Sequence, residues 1–240
     1  MLKIENLSKS YSKGATKAVD NISFEVKPGE IYGFLGPNGA GKTTTIKMIV
    51  GLLKQDSGVI LVDGIDTQKD SLKAKLKMGY VPDNPQIYDK LRGLEYLNFM
   101  ADVYKVSKED RSERIKKYLK LFSLEEAAND LINSYSHGMK QKIVLTGALI
   151  NDPDLFVLDE PMVGLDPKSA FNIKEVMREM CDRGKSVFFS THVLEVAEKI
   201  CDRISIINNG QIIAHGTMAE LRAKAGREES LERIFLEVTQ

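Results

Sequence analysis

The chain has 240 residues, 42% of them hydrophobic, with 34 basic and 34 acidic side chains. This length is sufficient to bury a substantial core in one large domain, or in a domain with a smaller one attached. A formal net charge of zero gives no reason to expect nucleic acid or anionic lipid as the main partner. Two cysteines are too few for a disulfide framework and fit a reducing cytosol.

The N-terminal sequence lacks the apolar centre of a signal peptide. No apolar run reaches the roughly 20 residues that a membrane-spanning helix needs. We therefore expect a soluble chain, and any role at a membrane has to come through a partner.

The first part of the chain has the alternating pattern of β-strands. Apolar residues recur at near-alternate positions from Leu2 to Tyr11 and again from Val19 to Val26, where the turn Pro28-Gly29-Glu30 follows. These two segments predict an antiparallel β layer. The continuous apolar run of residues 31–35 predicts a buried strand.

A glycine-rich loop follows that strand, with the sequence Gly-Pro-Asn-Gly-Ala-Gly-Lys-Thr. It fits the phosphate-binding loop pattern and has the strand before it and the helical spacing after it that this pattern requires. Its backbone N–H groups can surround an anion, and the helix N-terminus adds a positive dipole end. An ordinary glycine-rich turn would also fit the composition, but such a turn rarely has a buried strand directly before it and a helix directly after it. The predicted phosphate-binding residues are Gly36, Pro37, Asn38, Gly39, Ala40, Gly41, Lys42, Thr43 and Thr44.

Two of these residues have specific predicted roles. Lys42 is expected to reach the β- and γ-phosphates, and the Thr43 hydroxyl is expected to bind Mg²⁺. Further along, residues 59–62 predict a strand that enters a hairpin turn at Asp63-Gly64, and residues 78–81 predict a short strand.

The pattern changes from about Asp83. Residues 94–100 and 111–122 have the periodicity of helices with charged outer faces, and no strand pattern returns before Leu155. This predicts a helical insertion of roughly 65 residues, about half a typical domain, which should lean on the core rather than fold alone.

Beyond the insertion, strands and helices alternate again, which predicts a parallel α/β core. A hairpin at Asn209-Gly210 and two short helices complete the chain. The predicted elements are strand 155–158, helix 168–182, strand 186–190, helix 193–201 and strand 203–208.

Two carboxylates follow the first of these strands. Residues 155–158 are all apolar, and Asp159 and Glu160 come directly after them. A central parallel strand delivers both acids to the carboxyl edge of the sheet, where the phosphate-binding loop also opens. There Asp159 suits an outer-shell Mg²⁺ role, and Glu160 is suited to accept a proton from the water that attacks the γ-phosphate. Apolar runs that end in acids are common, so this interpretation depends on the loop.

His192 follows the predicted strand 186–190 and is expected at the same edge. A histidine at the end of a strand is commonly a surface or helix-capping residue. Beside a γ-phosphate, however, the imidazole can donate to a phosphate oxygen or orient the attacking water.

Ser136 stands in the sequence Tyr-Ser-His-Gly-Met-Lys-Gln, just before an apolar-striped helix. It is a natural N-cap, and a helix start with a free serine hydroxyl is also an anion site. A capped helix without a ligand explains this segment equally well from the residues alone.

The loop, the helical insertion, the serine-led segment, the Asp-Glu pair, Gly164-Leu165-Asp166 and His192 occur in an order that resembles the ATP-binding cassette (ABC) ATPases. The resemblance covers essentially the whole chain. It implies an α/β fold: a P-loop NTPase core with a mainly parallel sheet, an N-terminal antiparallel β layer and an inserted α-helical subdomain. The implied single ABC ATPase domain 1–240 divides into a catalytic core of 1–82 and 151–216, a subdomain of 83–150 that carries the serine-led signature, and C-terminal helices within 217–240.

The same resemblance implies a subunit that binds and hydrolyses ATP with Mg²⁺. It would close head to tail with a second copy of itself or a paralogous ABC subunit, so that each ATP lies between the loop of one subunit and Ser136 and Gly138 of the other, in trans. Tyr11 matches the aromatic residue that stacks on adenine, although a half-buried strand aromatic would explain it without the family. Asp166 matches the loop that communicates across the dimer.

Two positions depart from the family pattern. The family usually has a glutamine that reaches Mg²⁺ and the attacking water where this chain has Asp83. A carboxylate is shorter and charged, so it either binds the ion more directly or fails to reach it, and Gln86 is a weaker candidate for the role. His137 replaces a glycine, and its imidazole either crowds the opposing ATP or adds a donor to it.

Tyr135, Met139 and residues 230–239 resemble the separate-polypeptide ATPases of bacterial exporters of drugs, antibiotics or peptides. Such chains pair with separately encoded transmembrane permease subunits, whose coupling helix would dock beside Asp83. The implied location is cytoplasmic and peripheral, on the cytoplasmic face of the cell membrane through the permease. No nucleic-acid partner is expected.

Two other classes compete with this interpretation. A soluble ABC ATPase that acts on ribosomes or DNA is the alternative, but such proteins usually have tandem cassettes or a long coiled coil, and neither pattern occurs in this sequence. A P-loop kinase or GTPase is disfavoured, because no guanine-specifying Asn-Lys-x-Asp sequence is found and the Ser136 segment would have no role.

Overall fold

The computed structural model describes residues 1–11, 16–85, 87–225 and 230–239. The first part of the chain forms an antiparallel sheet with strand order β2-β1-β4-β5. The predicted N-terminal antiparallel layer is therefore confirmed, and the strand predicted at 59–62 joins it by pairing with β1. Its strands are β1 (Leu2–Tyr11), β2 (Thr16–Val26), β4 (Ser57–Val62) and β5 (Ile65–Asp66).

The second sheet has six strands in the order β10-β9-β3-β8-β7-β6. Pairing is parallel from β9 to β6, and β10 adds an antiparallel edge strand. This is the mainly parallel sheet that the alternating pattern predicts. Its strands are β3 (Ile31–Leu35), β6 (Met78–Val81), β7 (Leu155–Asp159), β8 (Ser186–Thr191), β9 (Arg203–Asn208) and β10 (Gln211–Gly216).

Helices cover the parallel sheet and form the insertion between β6 and β7. None of the helices in the described ranges is both long enough and apolar enough to cross a membrane. Two 3₁₀ turns, Glu126–Asn129 and Ile132–Ser134, connect α4 to α5. The helices are α1 (Lys42–Ile49), α2 (Ser71–Leu76), α3 (Gly93–Val103), α4 (Lys108–Leu121), α5 (His137–Ile150), α6 (Pro167–Asp182), α7 (Leu194–Ile200), α8 (Met218–Ala225) and α9 (Leu231–Thr239).

The parallel sheet is buried on both faces. Along β7, Leu155 and Val157 pack with α1 and the antiparallel layer, whereas Phe156 and Leu158 pack with α5 and α6. Successive side chains of a strand point to opposite faces, so a strand covered on both sides is a continuous apolar run. This explains why β3, β7 and β8 are recognisable in the sequence.

An aromatic stack joins the two sheets. Phe24 of β2 lies 5.4 Å from Tyr32, 5.5 Å from Phe34 and 5.6 Å from Phe188, measured between ring centroids. Pairs at this spacing contribute about 0.5–1.5 kcal/mol each beyond the burial of their surface. The β layer is therefore held directly against the strands that lead into the candidate site.

The helical insertion shares one core with the parallel sheet. Leu97 of α3, Ile115 of α4 and Ile143 of α5 belong to the same buried cluster as Phe156 and Phe189 of the sheet. The insertion therefore packs against the sheet, as its short length predicts.

Candidate active site

The loop after β3 leads directly into α1. Gly41 is the N-cap of α1 and has φ 110°, a left-handed conformation that is unfavourable for residues with a Cβ. A Cβ at this position would come within 2.4 Å of the Ala18 carbonyl oxygen. No side chain caps α1, so its first N–H groups are available to an anion, as the glycine pattern predicts.

Lys42 is held inside this loop. Its side chain is buried, and its Nζ donates to the carbonyl oxygens of Gly36 at 2.7 Å and Pro37 at 3.2 Å. The same Nζ lies 3.8 Å from Glu160 Oε1. The ammonium group is therefore placed between the phosphate-binding loop and the carboxyl end of β7.

Asp159 is 1% exposed at the end of β7. The Thr43 hydroxyl donates to its Oδ2 at 2.9 Å, and the Ser190 hydroxyl donates to its Oδ1 at 2.5 Å. Burial raises the pKa of Asp159, the two hydroxyls oppose this, and the charges of Asp83 and Glu160 add to the rise. A carboxylate in these surroundings is stabilised by a nearby cation.

Glu160 adopts an unusual backbone conformation with φ 50°. A positive φ is uncommon for a residue with a Cβ, and it persists only where the surrounding structure holds it. Its Oε2 accepts the backbone N–H of His192 at 3.3 Å and lies 3.0 Å from His192 Nδ1. The structure therefore brings His192 next to the acid predicted to be the base.

Asp83 is exposed on the loop after β6 and faces this group of residues. It lines a pocket of about 190 Å³ together with Lys42, Thr43 and Glu160, and an adjacent pocket of about 380 Å³ together with Asp159. Gln86, the other candidate for this role, lies outside the described residues. A larger concavity, about 590 Å³, lies between α3 and α4, away from these acids.

The residues at the sheet edge fit Mg²⁺ by their donor set. Thr43, Asp159 and Asp83 offer a hydroxyl and carboxylate oxygens, the ligand type that Mg²⁺ prefers. Within the described ranges, no cluster of three or more His, Cys, Asp or Glu side chains is arranged to hold a metal. Mg²⁺ usually takes one or two carboxylates and completes its shell with water and substrate phosphates, so the set present is sufficient.

Tyr11 lies at the end of β1, beside the start of α1. Its side chain is 49% exposed, and its hydroxyl is 3.5 Å from Thr44 Oγ1. An exposed ring next to the phosphate-binding loop is in a suitable place to meet the base of a nucleotide.

Ser136 caps α5, accepting the N–H of Met139 at 3.3 Å. In the part of the chain that the structure describes, no hydrogen bond or ion pair links Ser136 or Gly138 to the phosphate-binding loop. A Cβ on Gly138 would instead approach the Gly164 carbonyl oxygen to 2.8 Å. The two residues predicted to act in trans are thus outside the site formed by their own chain.

His137 also packs against Gly164. A Cβ on Gly164, which has φ 77°, would lie 2.8 Å from His137 Cδ2. Farther along α5, Lys142 Nζ lies 2.6 Å from Asp166 Oδ2, while the Ser169 N–H donates to Asp166 Oδ1. The start of α5 and the 164–166 loop therefore form one contact region within the chain.

Two polar residues of these regions are absent from the sequence predictions. Lys142 pairs with Asp166, and Ser190 contacts both Asp159 and Glu160. Ser190 had a detectable signal, because it is a polar residue that follows the apolar run 187–189 and precedes His192 closely.

A phosphate-binding loop on a mainly parallel sheet, with acids at the same edge, defines a P-loop nucleoside triphosphatase. Residues 19–163 match the family described as ABC transporter, and the chain belongs to this family. It is therefore an ATP-binding ATPase, as the order of its motifs predicts.

Individual proteins agree with this assignment. The linearmycin resistance ATP-binding protein LnrL of Bacillus subtilis (strain 168) is 40% identical over 97% of this chain and 74% of its own length. The SkfA peptide export ATP-binding protein SkfE of the same organism is 40% identical over 89% of this chain and 87% of its own. A dimeric post-hydrolysis structure of the ATP-binding cassette MJ0796, bound to ADP and Pi, has a TM-score of 0.82 and 29% identity, over 90% of this chain and 98% of the cassette.

Proposed function

We propose that this chain hydrolyses ATP in a head-to-tail dimer and thereby drives export through separate membrane subunits. The observation that carries the hydrolytic part is the gathering of Lys42, Thr43, Asp159, Glu160 and His192 at one edge of the parallel sheet. The export part is supported by the resemblance to a peptide export ATP-binding protein and an antibiotic resistance ATP-binding protein.

Each residue at the sheet edge has a distinct role in this proposal. Lys42 neutralises charge on the β- and γ-phosphates. When the nucleotide binds, its ammonium group exchanges the loop carbonyl oxygens that it contacts in this structure for the phosphate oxygens. Glu160 accepts the proton of the attacking water. Thr43, Asp159 and Asp83 would hold Mg²⁺, which supplies positive charge to the phosphates when bound.

His192 supports Glu160 and the γ-phosphate. Its Nδ1 is near Glu160 Oε2, and the ring is more than half exposed, which leaves Nε2 accessible for donation to a phosphate oxygen. The backbone N–H of His192 also contacts Glu160, so a shift of either residue moves the other.

A second subunit completes the site. Ser136 and Gly138 lie at the N-terminus of α5, where the helix dipole favours an anion, and they have no bond to the loop of their own chain within the described residues. In a head-to-tail dimer they contact the γ-phosphate of the ATP held by the partner. The dimeric form of a related cassette supports this arrangement.

An exposed apolar patch on the insertion is a suitable contact surface for the membrane subunit. Phe99 and Val103 share one face of α3, and the Tyr88 ring packs edge-on against Phe99 with 5.7 Å between centroids. All three side chains are exposed, and Tyr88 follows closely after Asp83 in the chain. A partner bound at this patch would sense changes at the Asp83 loop.

The hydrolytic part is tested with Glu160→Gln, which keeps the side-chain shape and removes the base. ATP binding should persist while turnover falls about 10²- to 10⁴-fold, the range for general acid–base catalysis. Glu175→Gln, at an exposed site on α6, is the matched control and should keep the wild-type rate. Turnover of Glu160→Gln near the wild-type rate would show that Glu160 is not the base.

The proposed coupling to membrane subunits has to be tested with the chain expressed in its native cells. We expect the tagged chain to be captured from detergent-solubilised membranes together with an integral membrane protein, and Tyr88→Glu with Phe99→Glu to abolish this capture while ATP turnover of the isolated chain is kept. Capture of ribosomes or DNA without a membrane protein would instead favour a non-transport ABC ATPase.

A further inference from the structure

Ser190 connects the two acids of the candidate site. It lies near the carboxyl end of β8, directly opposite Asp159 in the register of β7 and β8, and it is 0% exposed. Its hydroxyl donates to Asp159 Oδ1 at 2.5 Å. The Glu160 N–H is shared between the Ser190 hydroxyl, at 3.1 Å, and the Ser190 carbonyl oxygen, at 3.2 Å.

The chemistry of these groups fixes the direction of both hydrogen bonds. An ionised carboxylate can only accept and a backbone N–H can only donate, whereas a hydroxyl does both. Ser190 therefore donates to Asp159 and accepts from Glu160 at the same time. Both functions of the hydroxyl are in use, so its rotamer and the two acids constrain one another.

This arrangement has a consequence for each acid. Because Asp159 Oδ1 is bonded to Ser190, the other oxygen, Oδ2, is the one that faces Thr43 and the phosphate-binding loop. Glu160 itself has φ 50°, a backbone conformation that is otherwise unfavourable. The hydrogen bonds from its N–H to Ser190 stabilise this conformation. Its side chain is thereby aimed toward Lys42 and His192.

A second serine on the same strand serves as an internal reference. Ser186 is also 0% exposed and lies on the same face of β8, four residues earlier. Its hydroxyl donates to the Lys27 carbonyl oxygen at 2.8 Å, at the end of the strand away from the acids. The two serines share burial, strand and face, and differ in what they contact.

We infer that Ser190 is a positioning residue for ATP hydrolysis: it orients the Asp159 carboxylate and the Glu160 backbone together and does not itself touch the nucleotide. The inference rests on the proposed roles of Asp159 and Glu160. Partners that orient metal-binding and catalytic carboxylates typically change affinity or activity about 10- to 100-fold when removed.

The test compares four variants: Ser190→Ala, Ser190→Val, Ser190→Thr and Ser186→Ala. Threonine keeps the hydroxyl and adds the same bulk as valine, so this pair separates the hydrogen bonds from packing. We expect kcat to fall about 10- to 100-fold for alanine and valine, and threonine to recover most of this loss. Ser186→Ala should keep kcat within about twofold, although it removes a buried hydrogen bond and should also lower the thermal unfolding midpoint.

Nucleotide binding gives a readout that is independent of turnover. A fluorescent ADP analogue measured in EDTA should bind all four variants within about twofold of the wild type, because Ser190 does not contact the phosphates. With Mg²⁺, the gain in affinity should be about 10-fold smaller in Ser190→Ala than in the wild type or Ser186→Ala.

Several outcomes would overturn the inference: kcat of Ser190→Ala within twofold of wild type, equal rates for Ser190→Thr and Ser190→Val, or an equal loss in Ser186→Ala. If threonine does not fold at this buried site, Ser190→Ala against Ser186→Ala still decides. Asp159→Asn and Glu160→Gln are measured in the same assay. Turnover retained in these two refutes the proposed function, whereas turnover lost in them and kept in Ser190→Ala refutes the role of Ser190 alone.

Discussion

The two parts of the predicted nucleotide site are built differently. At the sheet edge the polar side chains bond to one another across elements: Lys42 to its loop, Thr43 to Asp159, and Glu160 to His192. Lys42 and Asp159 are buried, and the Glu160 side chain is 12% exposed. All five residues lie at the carboxyl ends of strands of the parallel sheet or at the start of α1, so the sheet fixes their positions. All of these contacts at the sheet edge are made within one chain.

The start of α5 is different. Ser136 is exposed and bonds to the N–H of its own helix, while His137 and Lys142 contact the loop 164–166. Within the described residues, Ser136 and Gly138 make no hydrogen bond to the phosphate-binding loop of their own chain. The difference teaches that the sheet-edge residues are arranged within one chain, whereas the start of α5 reaches the nucleotide only in the proposed head-to-tail dimer.

Removing the central charge of the sheet edge has the largest expected effect. Lys42→Ala deletes the ammonium group that we propose faces the β- and γ-phosphates, and it should lower both ATP affinity and turnover, the latter by about 10²- to 10³-fold. Equilibrium binding of a fluorescent ATP analogue and phosphate release measure the two effects. Lys116→Ala, an exposed position on α4, should change neither. Full ATP binding in Lys42→Ala would contradict the placement of the phosphates.

The proposed contact between α5 and a partner subunit is tested with Ser136→Arg. We expect the protein to be mainly monomeric without nucleotide, and Glu160→Gln to dimerise with ATP but not with ADP, because the γ-phosphate contacts both subunits. Adding Ser136→Arg places bulk and charge at that contact and should abolish the dimer, while ATP binding by the monomer stays within about threefold of wild type. Size-exclusion chromatography with light scattering measures the assembly. A dimer unchanged by Ser136→Arg would refute the head-to-tail arrangement.

A smaller effect is expected at His137, the first residue of α5. Because its ring packs on Gly164 of the same chain, His137→Gly should loosen the 164–166 loop and lower turnover about threefold, with an unchanged pH profile between about pH 6 and 8. His137→Phe keeps a ring without a titrating group and should retain activity. A higher rate in the glycine variant would show that the imidazole crowds the opposing ATP, and a flattened profile would show that it donates to phosphate.

The smallest effect concerns the ion pair between α5 and the loop 164–166. The hydrogen bond from Lys142, with those from Ser169, holds the pKa of Asp166 well below its usual range. A carboxyl group with a lowered folded-state pKa adds stability above its unfolded pKa of about 4 and loses it as the pH falls through the folded value. The Asp166 side chain is about half exposed and solvent screens the pair, so Lys142→Met should lower the free energy of unfolding at pH 7 by about 0.5 kcal/mol.

Urea denaturation at several pH values checks this prediction. The difference in the free energy of unfolding between wild type and Lys142→Met should be constant between about pH 5 and 7. It should become smaller as the pH falls below about 4. Lys116→Met, which removes a charge elsewhere on the insertion, should show no such narrowing. A difference that grows toward low pH would mean that Asp166 is not stabilised by Lys142.

The sequence by itself determined most of the elements around the sheet. Residues 78–81 and 203–208 are strands over the predicted bounds, and the predicted helix 168–182 begins one residue earlier, at Pro167. These elements have strong apolar periodicity, which the chain encodes locally. Helix α2 (Ser71–Leu76) was not predicted, because six residues with one buried side chain and no side-chain cap leave little periodic signal.

The sequence also determined which residues gather at the sheet edge, because loops and acids that follow parallel strands meet at the strands' carboxyl ends. The tertiary structure alone decided which atoms pair there. The partners of Ser190 and Lys142, Asp159 and Asp166, are distant in the chain, and their contacts follow from the register of β7 against β8 and from the packing of α5 on the loop 164–166. Periodicity specifies the face on which a side chain lies, but the register between distant strands is set by how the buried faces pack together.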